Sequence, residues 1–282
     1  MRRLSLALVA ALPLLAGLSP SRGSTGEFDL GYDPYVPTPH SIVESMLAFA
    51  QVGADDLVVD LGSGDGRIVI AAAKQFGARG LGIEIDRTLI AESQERARKE
   101  GVAGRVRFVA RDLFEADLRE ATVLTLYLLP ETNRKLVPKI LAEMRPGARV
   151  VAHRFAAGDW RPDAQVIVDA GDDWSATGRE RWLYLWYVPA RVAGEWEVVH
   201  EGGGASFRLA LDQAYQRIGG AAIDGTARIG LELAVLHGGE IRFIVPGPEP
   251  FAGDYAGRID GETMSGDLNG GRRWRAVRRT GQ

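Results

Sequence analysis

The chain has 282 residues, 46% of them hydrophobic and 25% charged, with a formal net charge of −3. The absence of cysteine excludes disulfides, thiol nucleophiles and cysteine-based metal sites. With no overall basic field, nucleic acid is not an expected partner. The four histidines (His40, His153, His200, His237) are far apart, with no ligand spacing among them, so no metal is expected.

From the N-terminus, Arg2-Arg3 precede an apolar run from Leu4 to Leu18, broken by Pro13 and followed by small residues. This run is short for a membrane span of about 20 residues, so residues 1–23 read as a signal peptide. The expected mature chain is exported, with no stable membrane span; a cytoplasmic or membrane-tethered enzyme is the alternative. Residues 24–37 are polar and turn-rich. A helix then starts with Thr38 as N-cap and Pro39 in its first turn, with Ile42, Val43, Met46, Leu47 and Ala50 on one apolar face. It sets Tyr35 and Thr38 near the mouth of whatever site follows.

The next stretch carries the most chemistry. Leu57–Leu61 reads as a buried strand running into Gly62-Ser63-Gly64-Asp65-Gly66, whose glycines let the backbone approach a ligand at a helix start. Asp60 stands where a dinucleotide fingerprint would place a glycine. A carboxylate there suits a cationic amine or a zwitterionic amino acid better than a diphosphate. A second strand, from Gly80, ends in Glu84, eighteen residues past Gly66 and suited to the two hydroxyls of a ribose. A third, Arg105–Ala110, leads to Asp112-Leu113. Three acids at the ends of consecutive parallel strands converge on the crevice where open α/β sheets bind ligands.

This series resembles the class I S-adenosylmethionine-dependent methyltransferases. The resemblance implies S-adenosyl-L-methionine as cofactor. It places the methionine part on the Asp60, Gly62, Ser63, Gly64 and Gly66 segment, the ribose on Glu84 and the adenine by Asp112 and Leu113. Thr38 is grouped with these cofactor-binding residues.

Helices are expected over Ile68–Phe76, over Arg87–Glu100 with Asp86 as N-cap and Gly101 as stop, and over Glu131–Met144, where Pro138 should kink or restart the helix. Val123–Leu128, Arg149–His153, Gln165–Asp169 and Trp182–Val188 complete the strands. The fold expected for residues 24–190 is a doubly wound, seven-stranded, Rossmann-like α/β sheet. Within it, Pro34–Thr38, the string DLGSGDGRIVIAAA from Asp60 to Ala73, Leu118–Thr122 and Arg145–Val151 resemble the lysine methyltransferases related to the ATP synthase c-subunit enzyme. The segment after the fourth strand, Tyr127-Leu128-Leu129-Pro130, departs from the Asn-Pro-Pro-Tyr motif of nucleic-acid amino methylases.

Beyond Ala190 glycine becomes frequent and helical periodicity stops. Alternating runs at Ser206–Gln213, Gln216–Ala222, Ala227–Leu233, Glu240–Val245, Ala256–Met264 and Trp274–Val277 predict a small antiparallel β meander or barrel over 191–282. Asp224-Gly225 and Asp260-Gly261 are hairpin-turn signals. The tail arginines are expected on the solvent face of the last strand.

The expected activity is methyl transfer to a protein lysine, with Tyr127, Tyr35 and His153 as catalytic-side residues and Trp160 beside them in an aromatic channel that would desolvate the amine. The alternatives are a small-molecule N- or O-methyltransferase, or a non-catalytic module that binds the cofactor while the β domain does the work.

Overall fold

The computed structural model describes residues 35–170, 180–201 and 206–279; the expected leader over 1–23 lies outside them. The first sheet has seven strands: β1 (Leu57–Leu61), β2 (Arg79–Glu84), β3 (Val106–Ala110), β4 (Val123–Leu126), β5 (Arg149–His153), β6 (Ala164–Asp169) and β7 (Glu180–Tyr187). Their order is β3-β2-β1-β4-β5-β7-β6, with β7 antiparallel to both its neighbours. The central strands are apolar on both faces because helices cover both faces. Val58 and Val123 point toward α1 (His40–Phe49), α2 (Arg67–Phe76) and α3 (Arg87–Lys99), while Val59, Leu124 and Val150 point toward α4 (Pro130–Glu143).

The strand order reverses between β1 and β4, so a crevice forms at the C-terminal ends of these two strands. Asp60 sits there, in register with Thr125.

Several local expectations need correction. Thr38 is not the N-cap of α1: the cap position is Pro39, with no side-chain cap bond, and its carbonyl accepts from Ile42 and Val43. Thr38 instead gives its carbonyl to Arg67 Nη1 at 2.7 Å. Helix α4 does not restart at Pro138 but runs through it as one element. Asp86 does cap α3, accepting from Thr88 N at 2.7 Å.

The second sheet has nine antiparallel strands: β8 (Gly194–His200), β9 (Ser206–Ala214), β10 (Arg217–Asp224), β11 (Ala227–Gly230), β12 (Glu232–His237), β13 (Glu240–Val245), β14 (Gly253–Asp260), β15 (Thr263–Leu268) and β16 (Arg272–Arg278). β8 was missing from the sequence expectation, and two predicted runs are each split in two, at Leu231 and at the turn around Gly261. The order β11-β10-β9-β8-β16-β15-β14-β13-β12 puts β11 and β12 at opposite edges. Leu231 alone separates them, and its N–H donates to Gly220 O at 3.0 Å, so the sheet curls into a nearly closed barrel. Its interior is filled by Trp196, Phe243, Tyr255 and Trp274, each contributing about 1.5–3 kcal/mol by burial. In β16, Trp274 and Ala276 face inward, while Arg273 and Arg275 face solvent.

Candidate functional site

The glycine loop hangs from the end of β2: Gly62 N and Ser63 N both donate to Ile83 O at 2.9 Å. Gly62, Gly64 and Gly66 take φ of 72°, 52° and 75°, a region costly for residues with a Cβ. At Gly64 the reason is also steric: a Cβ there would lie 2.3 Å from Tyr35 Cε2. Tyr35, 49% exposed, thus lies directly on the loop. Ser93 of α3 donates to Gly64 O at 2.9 Å and holds the loop from behind.

Asp60 is 3% exposed, and its Oδ1 accepts from Thr125 Oγ1 at 2.6 Å. Burial pushes its pKa up to about 7; the Thr125 bond works against this, and the negative charges of Glu84 and Asp65 add to it. Glu84, partly exposed at the end of β2, accepts from the glycine loop and from the two residues that follow it. Its Oε2 accepts from Gly64 N at 2.9 Å, and its Oε1 from Ile85 N at 2.8 Å and Asp86 N at 3.0 Å. Asp112 Oδ1 accepts from Phe114 N at 2.8 Å and caps a single 3-10 turn, Leu113–Glu115. The three acids lie on three neighbouring strand ends of one sheet, as the strand order requires.

The ion cluster beneath the loop was missed by sequence reasoning. Asp65 bonds Arg67 at 2.7 Å and Arg96 at 2.8 Å. Burial would raise its pKa, but the Arg67 bonds and charge, with the charge of Arg96, hold it below the ordinary carboxylate range. The same Arg67 takes the Thr38 carbonyl, so the N-terminal lead is tied to the loop. Burial and then the Asp65 charge raise the pKa of the Tyr35 phenol. Asp65 between two loop glycines was visible in the sequence; its pairing with Arg96 on another helix was not.

On the other side of the crevice, Leu126 pairs with Ala152, so Tyr127 and His153 follow as neighbours at the ends of β4 and β5. Their ring centroids are 4.0 Å apart with the planes tilted by 37°. His153 is 0% exposed, and neither ring nitrogen has a hydrogen-bond partner among the described residues. Burial pushes its pKa down to about 3, and the positive charges of Arg181 and Arg154 push the same way. The imidazole is therefore neutral at pH 7.

Trp160 does not join this wall. It is 0% exposed, packs on Trp186, and donates its indole N–H to Gln216 Oε1 of the barrel at 3.0 Å. Its bulk goes to the α4 face of the sheet, because the segment after His153 turns away from the crevice toward the barrel.

The arrangement offers a glycine cradle, a buried carboxylate beside it, two further acids along the strand ends, and an aromatic pair at the ends of β4 and β5 on the other side of β1. These residues fit a zwitterionic amino acid joined to a nucleoside: the orphaned Ser63 hydroxyl, buried without a partner among the described residues, lies in the same loop. Comparison with known proteins agrees. Residues 60–164 match the family model of the ANTKMT methyltransferase domain. A protein-lysine N-methyltransferase of Saccharolobus islandicus (strain REY15A) is 46% identical over 140 residues, which is 49% of this chain and 87% of that protein. The ATP synthase c-subunit lysine N-methyltransferase of Xenopus laevis is 38% identical over 130 residues, 46% of this chain and 57% of that one. A solved Salinibacter ruber chain, described as an RNA methyltransferase in complex with S-adenosyl-L-homocysteine, is 47% identical with a TM-score of 0.51 over 56% of this chain and 96% of its own. On the Saccharolobus islandicus match, which covers 87% of that relative, this chain belongs to the protein-lysine N-methyltransferase family.

Proposed function

We propose that this chain transfers a methyl group from S-adenosyl-L-methionine to the ε-amino group of a lysine in a protein acceptor. The observation that carries this reading is the placement of the Gly62–Gly66 loop, Glu84 and Asp112 on three adjacent strand ends, opposite the Tyr127–His153 stack. In this reading Asp60 and the loop N–H groups receive the methionine part, Glu84 the ribose, and Asp112 with Leu113 the adenine. When bound, the cofactor supplies a methyl group on a positively charged sulfur.

The rest of the work belongs to the protein. A lysine amine attacks only after losing its proton, and a dry aromatic channel favours the neutral amine. Tyr35 and Tyr127 line that channel and supply ring faces to the positive charge, at about 0.5–2 kcal/mol per ring. With a pKa of about 3, His153 is too weak a base to take the ammonium proton, so it acts as packing that fixes the Tyr127 ring. Positioning and exclusion of water then carry most of the rate.

An RNA acceptor is the second reading, on the strength of the Salinibacter chain's description. The net charge of −3 gives it no general attraction to a polyanion. On the sequence alone we also infer that the enzyme is exported. Labelled cofactor incubated with fractionated cell extract tests the acceptor: label in protein, released as methyl-lysine on hydrolysis, supports our reading. Label confined to RNA or to metabolites would overturn it.

A further inference from the structure

We propose that the Tyr215–Gln216 turn of the barrel positions the acceptor side of the methyltransferase site by clasping the segment that leaves His153. This rests on reading Tyr127 and His153 as the acceptor wall.

The segment 154–163 starts directly at that wall. Arg154 takes φ of 70°, rare for a side chain of this size, and its N–H donates to Trp182 O at 2.7 Å. Asn133, in the first turn of α4 just past Leu129-Pro130, donates to Phe155 O at 3.0 Å. The loops that end β4 and β5 are thus tied to each other through one side chain.

The far half of the segment is held by the barrel. Trp160 donates to Gln216 Oε1 at 3.0 Å, and Gln216 Nε2 donates to Arg161 O at 2.6 Å. One amide side chain therefore takes up the indole donor of Trp160 and the backbone carbonyl of the next residue. The Tyr215 ring stacks on Trp160, centroids 6.1 Å apart and planes 19° apart, and its hydroxyl donates to Asp159 Oδ1 at 2.8 Å. Trp160 O in turn accepts from Trp186 Nε1 at 2.8 Å, which fixes the segment to β7.

The turn itself points to a role. Only Tyr215 and Gln216 separate β9 from β10, and a two-residue hairpin of this kind favours glycine or asparagine where φ is positive. Tyr215 sits at φ 58° instead. Strain of this sort persists where surrounding contacts over-determine it. Here the side-chain contacts of Tyr215 and Gln216 lie on residues 159–163, while Gln213 Nε2 holds the Tyr215 carbonyl from within the barrel at 2.8 Å.

The barrel has a second attachment that avoids this segment. Ala190 N donates to Gly238 O at 2.8 Å, Gly238 lies against Gly147, Tyr187 packs on His237, and Arg191 Nη2 donates to Leu141 O at 3.0 Å. Loosening the clasp therefore leaves the barrel mounted, so the two can be tested separately.

The full chain with Gln216→Ala or Tyr215→Asn is the test, with Tyr215→Phe as the conservative variant and Arg191→Ala as a control on the second attachment. Hydrogen exchange across 154–163 should rise by about tenfold in the first two, from the lost side-chain contacts. It should rise less in Tyr215→Phe, which keeps the stack on Trp160 and loses only the Asp159 bond, and stay near wild type in Arg191→Ala. Affinity for S-adenosylhomocysteine should be unchanged, while methyl transfer into extract protein slows. Unchanged exchange at 154–163, or raised exchange with unchanged transfer, would overturn the clasp. So would a loss of S-adenosylhomocysteine affinity equal to the loss of transfer, since that marks general destabilisation. A wild-type chain that labels no protein, in which exchange still responds to Gln216→Ala, fails the acceptor reading and leaves the mechanical coupling standing.

Discussion

Asp60 and Thr125 meet across the β1–β4 pairing, where the threonine hydroxyl donates to a carboxylate that is otherwise sealed from water. The bond satisfies one oxygen but supplies no charge, so Asp60 stays a raised-pKa acid at the point where the sheet reverses direction. A cationic ligand group placed there would draw its proton off.

That has a direct thermodynamic signature. In the ligand-free protein Asp60 titrates at about 7, and an ammonium beside it favours the carboxylate. S-adenosylhomocysteine binding should therefore release protons below about pH 7, and affinity should rise with pH by up to about tenfold per pH unit until that point. Calorimetry in buffers of different ionisation heat measures the release directly. Asp60→Asn should abolish it; proton release that persists in this variant would reassign the group. The stability of the free protein has the opposite slope. The folded state holds a proton that the unfolded state gives up near pH 4, so the Asp60 contribution is lost as pH rises toward 7.

Glu84 gives a second test. A carboxylate has about four lone-pair sites, and three backbone N–H groups already engage this one. It holds the loop as well as facing the expected ribose position. Glu84→Ala should weaken cofactor binding at least about tenfold, since charge-assisted bonds contribute roughly 1.5–3 kcal/mol each. It should also raise hydrogen exchange at Gly64, Ile85 and Asp86. Wild-type affinity in a folded variant would sink the assignment.

How much of this was legible in the sequence depends on the range of each interaction. The strand-end acids were legible because Asp60, Glu84 and Asp112 each follow an apolar run, and parallel strands must place their ends together. Asp86 as a cap was legible because capping is local, two residues to Thr88. Thr38 misled because its sequence looks like a cap, while the tertiary pull of Arg67 on its carbonyl decides its place. Trp160 was grouped with the channel because it follows β5; only the barrel contact, 56 residues away, shows where its ring goes. The strand β8 did carry a signal, polar and apolar residues alternating through Glu195-Trp196-Glu197-Val198, but over a run short enough to be passed over as part of the linker.

His153 adds a stability prediction with the reverse sign from Asp60. Its folded pKa lies well below its unfolded value of 6.5, so its contribution is fully present above pH 6.5 and is lost as pH falls toward 3. The full effect is on the order of 5 kcal/mol, since each tenfold change in the protonation equilibrium is worth about 1.4 kcal/mol. Denaturant midpoints for His153→Phe should fall less between pH 7 and pH 4 than those of wild type. An identical pH profile would show that His153 ionises freely in the fold.

The first sheet and the barrel each have their own core, and we propose a domain boundary near residue 190. A fragment of residues 24–190 should fold and bind S-adenosylhomocysteine, since all seven strands of its sheet end by Tyr187. It should be less stable than the full chain, because Trp160 loses the bond to Gln216 and the stack with Tyr215. Insolubility of the fragment beside a stable full chain would mean that the barrel completes the α/β core.

Tyr127 and Tyr35 separate the acceptor side from the cofactor side. Tyr127 is half-buried against His153, whereas Tyr35 lies on Gly64 of the cofactor loop. Tyr127→Ala should therefore lower turnover more than cofactor affinity, because the ring acts where amine and methyl group meet. Tyr35→Ala should lower both, since the ring also covers the glycine cradle. Losing one ring face of about 0.5–2 kcal/mol corresponds to roughly a twofold to thirtyfold change, large enough to resolve by labelled transfer and calorimetry on the same preparations. If Tyr127→Ala reduces affinity and turnover equally, the ring serves the cofactor and the two sides of the crevice are not separate. If neither variant changes either quantity, both tyrosines are packing alone, and the amine must be desolvated by other residues.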